Sequence, residues 1–478
     1  MNKRLRGEKT TSKPDAGLSN LDRLATAVWW HTLDYLFVDE LASLFYASRH
    51  EQAKMRGYLE RAQKIVGVLR GDDGGVDDDD DDIHRRCPNL VWQLVTRHAR
   101  QVASLEMRAD MDDDEAVYGW RTDAIVTRVV QSQTRTLRRV IFSGRYSADL
   151  LCTLSLCPQL TEYRPHRRSE VDINPYHRAV LRTVEGARHL THLDLSHVHQ
   201  PVVSRLLAPD GCVAPLAYLQ LILPTATTLT HMVRFAATLT SLDVKTLANV
   251  ADCTRIATLL PHLRHLRSLT WHFFSDREEK IRRVVCRSAH VTELHLDALR
   301  RTDLITFDMP VLRTFRSSYS HPRVTVDVLA ASPALETLMV CSDSMPVDDP
   351  DAQAALLDAI LRGGGARLRT VDLQDWMLST ETLLGMARHW PALESLQILV
   401  ENGRVAVQAA VCAAVHMLSH LRRYWVYTRT PTSHDPFSPS HLSAVCAHVD
   451  DGGDGGDSKR TPSDNNSTSS SSSSSTAH

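Results

Sequence analysis

The sequence predicts an α/β solenoid: a horseshoe of strand-plus-helix units with one parallel sheet on its concave side, preceded by a small all-α module. Three observations predict it. A short apolar pattern returns many times along the chain, helix-period stretches lie between its copies, and a helical segment over 21–60 lacks the pattern altogether.

The pattern reads L-x-x-L-x-L. Its clearest copies are Leu190-Thr-His-Leu193-Asp-Leu195, Leu216-Ala-Tyr-Leu219-Gln-Leu221, Leu239-Thr-Ser-Leu242-Asp-Val244 and Leu266-Arg-Ser-Leu269-Thr-Trp271. Further copies are Val291-Thr-Glu-Leu294-His-Leu296, Leu335-Glu-Thr-Leu338-Met-Val340, Leu368-Arg-Thr-Val371-Asp-Leu373 and Leu393-Glu-Ser-Leu396-Gln-Ile398. Weaker copies start at Val102, Leu137, Leu160, Leu312 and Leu421, so that successive starts lie 21 to 35 residues apart. That interval is one supersecondary unit long, and apolar alternation at the fourth and sixth positions makes a strand with one buried face.

Between the strands the apolar period changes to that of a helix, as in Ala352–Leu361, Thr380–Arg388 and Val405–Leu418. Ser379 ahead of Thr380 marks a helix start. A unit of this size cannot bury its own apolar face, so the neighbouring unit must cover it. On these motifs the region from about 88 to 430 resembles the leucine-rich-repeat superfamily, which implies the horseshoe, with the solenoid expected over 88–448. One departure is clear: the family's Asn or Cys after the strand is replaced by Val198, Leu247, Leu299 and Trp376. An irregular solenoid is therefore expected.

The segment 21–70 is expected to be a separate helical module. Apolar residues fall at Val28, Trp29, Leu33, Leu36, Leu41, Leu44 and Phe45, a spacing of two or three helices with a break near Phe37–Asp39. Leu24, Leu33-Asp34-Tyr35-Leu36, Glu40-Leu41, Leu44 and Ala47-Ser48-Arg49 resemble the F-box, although Ala25 and Glu51 stand where that family has proline and tryptophan. The resemblance implies a substrate receptor of a cullin–RING ubiquitin ligase. Leu24, Val28, Trp29, Leu33, Leu36, Leu41 and Leu44 would then dock on a Skp-type adaptor. The alternative is a helical cap on the solenoid, with no ligase role.

Three segments depart from globular composition. Residues 1–20 are charged and polar, 71–87 contain the run Asp72–Asp82, and 449–478 are Gly/Asp-rich and then Ser-rich; all three are expected to be disordered. Nine cysteines lie singly, an odd number without any CxxC pair, and read as buried thiols of a reducing compartment. The N-terminus has no apolar stretch, and no run nears the ~20 residues that span a bilayer. A cytoplasmic protein is expected, and Lys3, Arg4 and Arg6 leave a nuclear address open. The net charge of −2 points to neither nucleic acid nor membrane as partner. The expected state is a monomer within a hetero-complex.

The third and fifth positions of the pattern point away from the core. The candidate contacts to a protein substrate are therefore Asp194, Gln220, Asp243, His295, Arg316, Asp372, Gln397, Arg423, Trp425 and Tyr427. The last three gather the residue types that dominate protein interfaces, yet a terminal repeat must also be closed, and 431–448 could cover Trp425. His50-Glu51 lacks the second histidine of a zincin, and there is no GxSxG, P-loop or GxGxxG. His197 and His199 have no sequence neighbours to complete a metal site, and Gly452 and Thr461 stand where a calcium loop needs carboxylates. A binding protein, with no enzymatic activity, metal or cofactor, is the expectation.

Overall fold

The computed structural model describes residues 49–69, 95–109, 120–142, 148–165, 173–247, 249–274, 284–299, 305–319, 322–341, 350–362, 365–401, 405–429 and 442–448. The strands are β1 (Lys64–Leu69), β2 (Ser104–Ala109), β3 (Arg139–Phe142), β4 (Glu162–Pro165), β5 (His192–Asp194), β6 (Tyr218–Ile222), β7 (Ser241–Leu247) and β8 (Ser268–Phe274). They continue as β9 (Val284–Arg287), β10 (Glu293–Asp297), β11 (Ile305–Asp308), β12 (Thr314–Ser318), β13 (Thr337–Cys341), β14 (Thr370–Met377), β15 (Ser395–Glu401), β16 (Arg423–Arg429) and β17 (Leu442–His448).

Fifteen of these form one open sheet whose strand order follows the chain, skipping β9 and β11. Every pair from β1–β2 to β15–β16 is parallel, and β17 closes the series antiparallel to β16. A parallel sheet in chain order needs a crossover between every two strands, and this is the arrangement a repeat solenoid requires.

One backbone device joins each unit to the next. The carbonyl just before a strand accepts two N–H groups from the same place in the following unit. The Ala217 carbonyl accepts from Thr240 and Ser241 at 2.8 and 2.9 Å, and Thr240 accepts from Arg267 and Ser268 at 2.8 and 3.0 Å. The series runs from Gln63, whose carbonyl takes Ala103 and Ser104, to Glu394, which takes Arg422 and Arg423. Threonines reinforce it: the hydroxyls of Thr161, Thr191, Thr240 and Thr292 donate to the same carbonyls, those of Arg138, Thr161, Ala217 and Arg267. At the positions where the polar residue after the strand is missing, Val198, Leu299 and Trp376 are buried instead. Packing fills there what a side-chain amide would have bonded.

The second layer departs from the expectation of one helix per unit. Helices run in contact from Trp120–Ser132 through Ala148–Leu154, Ile173–Gly186, Gln200–Leu207 and Ala226–Met232 to Val250–Leu259. The next two units place strands β9 and β11 there, paired parallel to each other. Helix Val250–Leu259 packs on β9, and β11 packs on helix Pro322–Ala331, from which helices continue through Pro350–Leu361 and Thr380–His389 to Val405–Met417. The cause is local: Val284 and Cys286, and Ile305 and Phe307, alternate buried with exposed or half-buried neighbours, a period of two with β-branched residues.

The sheet also begins earlier than expected. Helix Arg49–Arg61 buries Met55, Tyr58 and Leu59, and β1 pairs with β2 although it lies within 21–70. The remainder of that module, and the segments 1–20, 71–87 and 449–478, lie outside the described residues. Ser379 does cap its helix, its hydroxyl accepting from the Thr382 N–H at 3.1 Å. Cys157, Cys212, Cys253 and Cys286 are buried, and burial pushes the Cys157 and Cys253 thiols up to about 12. Cys412, in contrast, is exposed.

Of Gly363, Gly364 and Gly365, the last has a demanding role: a Cβ on Gly365 would fall 1.5 Å from Nε1 of the fully buried Trp390. Gly57, within the first helix, has nothing within 4 Å of such a Cβ. Gly365→Ala is expected to destabilise by about 1–3 kcal/mol or more through overpacking. Gly57→Ala is expected to stabilise by about 0.5–1 kcal/mol, because alanine loses less backbone freedom in a helix. Urea unfolding of the two variants beside the wild type measures both.

Candidate functional site

The sheet has one face under the second layer and one without it. Core-facing side chains such as Leu193, Leu219, Leu242, Leu269, Leu294 and Phe315 are at most 1% exposed, and the residues between them are half-buried or exposed. Because the strands pair in register, outward residues fall into rows. One row runs Asp194, Gln220, Asp243, Thr270, His295, Arg316, Met339, Asp372, Gln397 and Trp425. All the predicted fifth-position residues thus share a single line across the open face.

Their availability differs along that line. Asp194, Gln220, Asp243, His295 and Gln397 are half-buried, and Arg316 is exposed. Asp372 is 8% exposed, less open than a binding residue was expected to be. Arg423 is exposed and Trp425 half-buried, and Tyr424 packs against the core. Tyr427 lies in β16 beside Leu399. β17 continues the sheet beyond β16, pairing Trp425 with Cys446, so 442–448 closes the edge beside Trp425. Leu24, Val28, Trp29, Leu33, Leu36, Leu41 and Leu44 lie outside the described residues.

The most structured chemistry sits between β3 and β10. The Glu162 carboxylate lies 2.7 Å from Arg139 Nε and 2.8 Å from Arg164 Nε, at ion-pair distance though without hydrogen-bond alignment. The Arg164 guanidinium stands over the Tyr218 ring at 5.5 Å, with His192 stacked on that ring at 5.8 Å. Tyr218 donates its hydroxyl to Gln220 Oε1 at 3.0 Å. Burial, with the nearby Asp243 and Asp194 charges, holds the Tyr218 phenol above its ordinary range. Burial likewise raises the Asp194 carboxyl, opposed by the Ser196 N–H that Oδ1 accepts at 2.8 Å.

One row further out, His272 is clamped between two carboxylates. Its Nε2 is 3.3 Å from Asp243 Oδ1, and its Nδ1 is 2.8 Å from Asp297 Oδ2. Asp297 is its direct partner across β10, Lys245 its partner across β7, and Asp243 the diagonal neighbour. His295 meets His272 edge-on at 6.0 Å, with its Nε2 3.3 Å from Ser318 Oγ. Asp243 raises the His272 pKa, burial opposes this, and Asp297 adds to the rise. Burial, then the His272 charge, lowers that of His295.

No protein-family model and no curated protein matches this chain.

Among the described residues no group of three or more His, Cys, Asp or Glu side chains is placed to hold a metal ion. His199 stacks on the buried His177 at 5.7 Å. Among the described residues no helix is long and apolar enough to cross a membrane. Sequence reasoning named Asp243 and His295 but missed His272, Asp297, Arg164 and Tyr218 as a connected group. Reading one residue past each L-x-x-L-x-L would have found His272 and Asp297.

The clamp has a pH signature. A histidine with a raised folded-state pKa contributes stability that is complete below its ordinary pKa of about 6.5 and is lost as pH rises through the folded value. The stability gap between the protein with His272 and its His272→Gln variant is therefore expected to be larger at about pH 5.5 than at about pH 8.5, measured by urea unfolding. Because the His272 charge is part of what lowers His295, the comparison is made in a His295→Gln background, where that opposing contribution is absent. A gap that does not narrow with rising pH would contradict the clamp.

Proposed function

We propose that this chain is a leucine-rich-repeat protein that holds a protein ligand on the open face of its parallel sheet. We further propose that it serves as the substrate-recognition subunit of a cullin–RING ubiquitin ligase. The observation that carries the first part is the in-register row from Asp194 to Trp425, with the Arg164–Tyr218–His192 stack and the His272 clamp beside it. Such a face offers alternating charge, a phenol and imidazoles in fixed order. Held by the backbone, these groups lose little freedom when a partner binds.

The adaptor-binding part rests on the resemblance of 21–60 to the F-box. Trp29, Leu33, Leu36 and Leu41 would be the apolar anchors on a Skp-type adaptor. A second reading, a scaffold or inhibitor that never meets an adaptor, is favoured by one observation. Met55, Tyr58 and Leu59 of helix Arg49–Arg61 are buried next to β1, as a solenoid cap requires.

A pulldown of the full chain by a Skp-type adaptor separates the two. Saturable capture is expected, and a Trp29→Asp, Leu33→Asp double variant with unchanged circular dichroism should lose it. Failure of the well-folded wild type to bind would end the ligase reading and leave the scaffold. Arg164→Glu with Tyr218→Ala should keep adaptor binding while reducing retention of the protein ligand by about tenfold or more, as loss of an interface hot spot does.

A further inference from the structure

The turns before the strands hold a second, differently charged surface. In each unit the residues one, three and four places before the first outward strand position lie along the edge where the parallel strands begin, because the strands are in register. From β2 to β16 these places are rich in cations, among them Arg135, Arg138, Arg188, Arg264, Arg267 and Arg422, all of them exposed. The acidic residues at the same places are Glu336 and Glu394, and each already faces an arginine, Arg313 at 3.7 Å and Arg369 at 3.4 Å. Arg135, Arg188, Arg264 and Arg422 make no ion pair among the described residues.

The net charge of −2 conceals this edge, because carboxylates crowd elsewhere in the chain, notably in Asp72–Asp82. Unneutralised cations spaced along one rim, with neighbouring strands about 4.8 Å apart, sum into a positive field that attracts an extended anion.

We propose that this strand-start edge is a docking surface for an acidic polypeptide segment of a partner protein. It is separate from the open face and does not rest on the ligase reading. Charge complementarity argues for an anion, and two features favour polypeptide over nucleic acid. Among the described residues these turn positions carry no Phe, Tyr or Trp on which a base could stack; the rings there are the imidazoles of His189, His265, His290 and His420. Nor does any helix project from the edge to enter a groove; the turns lead straight into strands. Exposed guanidinium groups on successive turns instead match carboxylates repeated along an extended chain.

The test is fluorescence anisotropy on the full chain, using a labelled peptide of about twelve alternating Asp and Glu residues. Extended, it reaches about 40 Å, or roughly eight strand spacings, so cations must be removed along the whole rim. Wild type is expected to bind the peptide and not a Ser/Gly peptide of equal length, and to weaken about tenfold or more between roughly 50 and 300 mM salt. Arg135→Gln, Arg188→Gln, Arg264→Gln and Arg422→Gln together should weaken binding about tenfold or more with unchanged thermal melting. The Tyr218→Ala variant of the open face, which changes no charge, should bind the peptide as wild type does. No binding by wild type, or equal binding by the quadruple variant, overturns the proposal. Tighter binding of an RNA duplex carrying the same number of charges would also overturn it, by assigning the edge to nucleic acid.

Discussion

The shared carbonyl is the constraint on which the rest of this molecule depends. At each parallel junction one C=O receives two amides from the next unit, so a unit cannot slip by a residue without breaking both bonds. A one-residue slip would also turn every core leucine toward solvent. Uneven repeat lengths are tolerated for the same reason. Extra residues are absorbed between the strands, while the bonded turn and the strand that follows it stay in phase.

That phase lock brings residues far apart in sequence onto one face of the sheet. Asp194 and Trp425 are separated by more than half of the described solenoid, yet they lie on one row. Within it, the polar groups are partnered to different degrees. Glu162 is shared by two arginines, and His272 by two aspartates, whereas Arg316 is exposed. Groups that neutralise one another are held in place by their partners, and Arg316 stands exposed beside them.

Much of this was legible in the sequence, for a physical reason. The core positions of the strands are deeply buried, and selection for apolar side chains there leaves a pattern that can be counted. Strands β2 to β16 other than β9 and β11, the helices Pro350–Leu361, Thr380–His389 and Val405–Met417, and the Ser379 cap follow that pattern closely. β1 was hidden because Lys64–Leu69 contains Gly67 and lies outside the repeat spacing. β9 and β11 were hidden because four-residue runs such as Val284–Arg287 are too short for periodicity to show. The His272 clamp escaped because a site assembled across strands has no contiguous motif. The strand-start edge escaped because a chain-wide charge averages it away.

The paired strands β9 and β11 carry a mechanical consequence. A horseshoe bends because helices outside need about 8–10 Å each while strands inside need about 4.8 Å. Where β9 and β11 replace helices, the two layers have equal pitch, and the driving force for bending disappears over that interval. Equal pitch predicts a locally flatter sheet behind β8, β10 and β12, the strands that carry His272, His295 and Arg316.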